Sequence, residues 1–93
     1  MKTSGILTWT KENIKETPTL KGIFVLRTSP INGFIQTVNK TENLKNTLEQ
    51  IYMDQLYPDI KFFEWYQTDD TEEIQKKLDE LKLKYNLELG HSE

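Results

Sequence analysis

The segment from Gly22 to Val38 constrains this 93-residue chain most. Gly22-Ile-Phe-Val-Leu-Arg27 is rich in β-branched and aromatic residues and reads as a strand. Ser29-Pro-Ile-Asn-Gly33 follows, and Asn32-Gly33 is the strongest short turn signal available. Phe34-Ile-Gln-Thr-Val38 reads as the second strand. A short loop between two such runs makes an antiparallel hairpin, so the chain must build a sheet and cover it.

The rest of the sequence supplies the cover. Thr10 heads Lys11–Glu16, and Pro18 stops anything helical, which leaves a helix of two turns or an ordered arm. From Thr41, taken as a cap, Leu44, Leu48, Ile51 and Leu56 recur at near-helical spacing until Tyr57-Pro58-Asp59. Lys61–Thr68 reads as a third strand, with Phe62, Glu64 and Tyr66 on one face and Phe63, Trp65 and Gln67 on the other. Asp70-Thr-Glu-Glu73 has capping-box form, and Ile74, Leu78, Leu81 and Tyr85 then make one stripe. Glu72–Lys76, Glu73–Lys77 and Glu80–Lys84 are spaced as helical ion pairs. The expected fold is α+β: a small three-stranded, largely antiparallel sheet flanked by helices. Residues 1–9 form an N-terminal arm, 10–86 a single domain and 87–93 a tail.

Composition narrows function by exclusion. There is no cysteine and a single histidine, His91, so thiol chemistry and cysteine- or histidine-rich metal sites are out of reach. No apolar run approaches the ~18 residues of a membrane span, and no signal-like stretch follows Met1, so the chain reads as soluble and cytoplasmic. Residues 1–53 carry 7 basic and 4 acidic side chains, a charge of +3; residues 54–93 carry 5 and 11, a charge of −6. No basic stripe of the kind that neutralises phosphate is visible. Lys11, Lys15, Lys21, Arg27, Lys40 and Lys45 are the candidate phosphate contacts, and Arg27 is the chain's one arginine.

The order short helix, hairpin, helix, strand, helix resembles the GIY-YIG nuclease family. Gly22-Ile23-Phe24 stands at its first motif, Lys40–Lys45 with Asn43-Leu44 at its loop and helix start, and Asp59-Ile60 with Phe63-Glu64-Trp65 at its third strand. The resemblance implies metal-dependent DNA hydrolysis by two tyrosines, a helix arginine and a metal-holding glutamate. Those positions here read Phe24, Thr37, Thr47 and Leu78, with Asn39 in place of a motif glycine. Phe34-Ile35-Gln36 is the rival alignment of the second motif and also lacks the tyrosine. Asp79 is the one nearby residue able to hold a cation. Each lost base or charge stabiliser costs about 10²–10⁴-fold in rate.

The implied protein is therefore a non-catalytic binding or interaction module on a nuclease-like fold, with no cofactor. Mg²⁺ or Mn²⁺ enters only if the alternative, an endonuclease with an altered site, holds. Weak nucleic-acid binding without cleavage is the third reading. A protein or peptide is the favoured partner class, and nucleic acid is disfavoured by charge. Candidate binding residues are Lys40, Asn43, Lys45, Trp65 and Tyr66, the aromatic pair also serving a homodimer through edge pairing. Asn39-Lys40-Thr41 matches a glycosylation sequon by chance, and the acids from Asp69 to Glu73 suit a helix N-terminus.

Overall fold

The structure is a computed structural model and describes residues 1–30 and 35–85. It is α+β, with an antiparallel sheet between helices on both faces. The elements are β1 (Lys2–Thr3), β2 (Leu7–Thr8), α1 (Lys11–Lys15), β3 (Gly22–Arg27), β4 (Ile35–Thr41), α2 (Leu44–Asp54), β5 (Phe62–Gln67) and α3 (Thr71–Lys84). The expected hairpin is present as β3 and β4. Its Asn32-Gly33 turn and Phe34, like the tail and His91, lie outside the described residues.

The sheet has five strands, not three. Its order is β1-β5-β3-β4, with β2 also on β5. The two extra strands come from the N-terminal arm. Lys2 pairs with Gln67 and Thr3 with Tyr66, whereas Leu7 pairs with Phe63 and Thr8 with Phe62. The register slips by one between the two pairings, so Ser4–Ile6 carries one residue more than the partner strand. Gly5 takes up the irregularity at φ 72°, in the left-handed region that glycine enters without strain. Two-residue strands between turn-prone residues carry no usable period, which is why the sequence does not announce them.

Alternation in β3 sends Phe24 and Leu26 to one face and Ile23 and Val25 to the other. The first face is covered by Ile14 of α1 and by Leu44 and Leu48 of α2, with Phe63 and Ile60 completing the cluster. The second is covered by Ile74, Leu78 and Leu81 of α3 over Val38. The α3 stripe is therefore as its spacing predicts. Gly22 is required where β3 runs under α2: a Cβ there would stand 2.1 Å from the Tyr66 carbonyl oxygen and 2.9 Å from Leu44 Cδ1.

Helix ends differ from expectation in detail. Thr10 caps α1 through the Asn13 N–H, as read. For α2 the cap is Asn43, which accepts from the Asn46 N–H, while Thr41 ends β4. Gln55 closes α2 at φ 51°, so Leu56 falls outside the helix and is 60% exposed. Asp70 accepts from the Glu72 and Glu73 N–H groups. The Glu73 carboxylate accepts from Thr68 Oγ1 rather than from the cap residue, and Thr68 Oγ1 in turn accepts from the Asp70 N–H. Among the described residues of α3, Lys77 and Glu80 form an ion pair at 3.3 Å, at i,i+3 rather than i,i+4 spacing.

Candidate binding surface

The residues singled out by the nuclease resemblance do not assemble. Phe24 is buried at 5% exposure and cannot line a surface. Thr37 and Asn39 share its face of the sheet, opposite Leu26 and Phe24. Thr47 reaches down from α2, and its hydroxyl lies 2.5 Å from that of Thr41. Leu78 sits across the sheet in the other core, 3% exposed. Asp79 is exposed and accepts from Gln75 Nε2 at 2.9 Å, and no group of three or more metal-ligating side chains exists among the described residues.

The proposed phosphate contacts disperse in the same way. Lys40 donates to Gln75 Oε1 and Lys21 to Thr71 Oγ1, both toward α3. The first turn of α2, where Asn43 and Lys45 sit, has no free amide to offer. Leu44 and Lys45 donate to the Leu20 and Pro18 carbonyls, and Asn46 and Thr47 donate to Asn43. A helix N-terminus binds an anion only through unpaired N–H groups, so this one is closed.

Arg27 is a correction. It is 2% exposed and is no surface contact. Its Nε and Nη2 donate to Glu64 Oε1 at 2.8 and 2.5 Å, and Nη2 also donates to the Tyr85 hydroxyl. The Tyr66 hydroxyl donates to Glu64 Oε2 at 3.1 Å. Burial first, and then the Glu64 charge, push the Tyr66 hydroxyl well above the ordinary tyrosine range. Arg27 Nη1 is buried without a hydrogen-bond partner among the described residues. The sequence did carry a signal: a glutamate inside an aromatic strand needs a cation, and the chain holds one arginine. The network is structural, buried at Arg27 and Glu64 and half-buried at Tyr66 and Tyr85.

The aromatic strand is also corrected. β5 pairs with β3 on one side and with β1 and β2 on the other, so it offers no edge. Trp65 packs against the α1–α2 core and Tyr66 against the α3 core, on opposite faces.

Open grooves lie on both sides of the sheet: one of about 370 Å³ between the N-terminal arm and α3, lined by Thr3, Tyr66, Glu73 and Lys76, and two on the α1–α2 side. Trp9, held by a bond from its N–H to the Lys61 carbonyl, sets its ring edge-on to Phe63 at 5.3 Å and to Tyr52 at 5.6 Å. Beyond it, Gln55–Ile60 turns back under the end of α2. Leu56 donates to the Ile51 carbonyl, Ile60 to Tyr57, and Lys61 to Arg27. The left-handed Gln55 sets this path. Between Trp9 and this turn runs a groove of about 320 Å³ walled by Tyr52, Tyr57 and Pro58. A second, more apolar groove of about 200 Å³ lies on the other side of Tyr52, against Lys11, Lys15 and Glu49. Met53 stands 75% exposed at its rim.

In comparisons with known proteins, no family model, curated protein or solved structure matches the chain. Among the described residues no helix is long and apolar enough to cross a membrane.

Proposed function

We propose that this chain is a non-catalytic interaction module that takes a protein or peptide ligand on the α1–α2 side of its sheet. The observation that carries this reading is the surface around Tyr52: two grooves meeting at one ring, one of them apolar with Met53 75% exposed at its rim. Concave surface lined by aromatic side chains with a few polar groups is the usual form of a binding site. Support also comes from the nuclease-like positions. Phe24, Thr37, Asn39 and Thr47 bring no titratable group to their face, and Leu78 lies on the other. A hydrolase on this scaffold would need a proton carrier and a charge stabiliser there.

A photo-crosslinking amino acid at Met53 tests the reading in the native host, with Leu83 on α3, 68% exposed, as control. A defined adduct at Met53 and none at Leu83 is the expected result. Incubation with supercoiled and branched DNA in Mg²⁺ or Mn²⁺ is expected to leave the DNA intact. Protein-dependent nicking removed by Asp79→Ala would establish the endonuclease alternative instead.

A further inference from the structure

The two outer edges of the sheet are protected in different ways. At β4 the strand blunts itself: Lys40 puts a charge on the edge, and its N–H is already taken by Asn39 Oδ1 at 2.9 Å. β5 has no such device. Phe62–Gln67 contains no lysine and no proline, it is mostly aromatic, and its one charge, Glu64, is turned inward to Arg27. An aromatic strand of this kind is a ready template for another strand. What covers it is the arm, and the arm is held lightly. β1 and β2 have two residues each, and no side chain of residues 2–8 is fully buried. On the opposite side of β5, β3 pairs over six residues that are all buried. The arm holds on chiefly by backbone, with Ser4 as the best-tied point: its N–H donates to the Trp65 carbonyl and its Oγ accepts from the Trp65 N–H, both at 3.0 Å. Thr3, opposite Tyr66, leaves the groove of about 370 Å³ beside α3 unfilled. Segments with exposed hydrogen bonds and little buried apolar surface open at a small fraction of the global unfolding free energy. Trp9, packed on Phe63 and Tyr52, marks where the loose segment ends.

We propose that residues 2–8 are a detachable guard strand, which leaves β5 while the rest of the domain stays folded, and that the edge so uncovered takes the same segment from a second copy of the chain. The arm's own sequence is the occupant that meets the register, the kink at Gly5 and the paired bonds of Ser4 to Trp65, and every copy carries it. Amide exchange of the full chain is the first measurement. The Trp65 N–H, which only the arm covers, should exchange about tenfold or more ahead of the β3 amides. Gly5→Ala is the variant, since a Cβ there meets nothing within 4 Å and acts only by disfavouring φ 72°. It should raise the detached population, and with it Trp65 exchange, about fivefold or more. The third measurement is an anisotropy titration of the full chain with a fluorescein-labelled peptide of residues 1–8, standing for the second copy's arm. Apparent affinity scales with the fraction of chains whose edge is free, so the peptide should bind Gly5→Ala more tightly than wild type by the same factor that exchange accelerates. A peptide N-methylated at Ser4 lacks the N–H that meets the Trp65 carbonyl and should bind about tenfold or more weakly. Trp65 exchange no faster than that of β3 overturns the proposal. So does a peptide that binds neither chain, binds both alike, or is indifferent to the N-methyl group. None of these outcomes touches the Tyr52 grooves, whose reading is tested separately by the Met53 adduct.

Discussion

The two faces of the sheet solve the same problem differently. On the α3 face a 14-residue helix lays Ile74, Leu78 and Leu81 over Ile23, Val25 and Val38, and the polar groups that go under are tied together as Arg27, Glu64, Tyr66 and Tyr85. On the α1–α2 face the helices have 5 and 11 residues, and the side chains beneath are larger. Short helices over bulky rings leave Trp9, Tyr52 and Tyr57 only partly covered. A chain of this size buries only about 60–65% of its unfolded surface. The comparison shows how the shortfall is distributed: the α3 face buries the Arg27–Glu64 pair and opens only beyond Tyr66, toward Thr3 and Lys76, whereas the α1–α2 face is open around Tyr52.

The largest expected effect tests the buried pair under α3. Arg27→Met leaves Glu64 charged and buried without its partner, which should cost about 3–5 kcal/mol in urea unfolding. The double variant with Glu64→Met should recover most of that loss, because a paired buried charge contributes little net stability. A single-variant cost under about 1 kcal/mol would mean that water reaches the pair.

Next comes a matched pair of truncations. Leu78→Ala should cost about 2–5 kcal/mol. Met53→Ala, at a 75% exposed position, should stay within about 0.5 kcal/mol. Equal losses would erase the distinction between the faces.

A smaller effect follows from Tyr66. Tyr66→Phe loses one hydrogen bond to a carboxylate at a half-buried site, about 1 kcal/mol at neutral pH. The raised Tyr66 pKa means that the folded chain holds this proton more tightly than the unfolded one. Its stabilising contribution is complete below about pH 10, the unfolded tyrosine value, and is lost as pH rises above it. Melting curves of wild type and Tyr66→Phe should therefore converge as pH increases beyond that point. The smallest change is a gain: Gln55→Gly relieves a non-glycine residue at φ 51° and should add about 0.5 kcal/mol.

How much of this was legible depended on period and length. The β3–β4 hairpin, the face alternation of β5 and the α3 stripe were readable because each sustains its period over five or more residues. The arm strands were not, since two residues carry no period. Leu56 fits the helical spacing of Leu44 and Leu48, and only the left-handed Gln55 ahead of it breaks the run. The open grooves were hidden for another reason. Trp9 and Tyr57 lie about half the chain apart, and no local period links the arm to the turn at Tyr57-Pro58. Arg27 looked like surface because its partner lies 37 residues away.

The arm pairing also joins the two ends of the described chain: Lys2 and Thr3 pair with Gln67 and Tyr66 on the edge of β5 that β3 leaves free. Contacts this distant in sequence are late and slow to form. Trp9 shares that dependence through its bond to Lys61, so one wall of the groove beside Tyr52 and Tyr57 is held by a contact 52 residues distant in sequence.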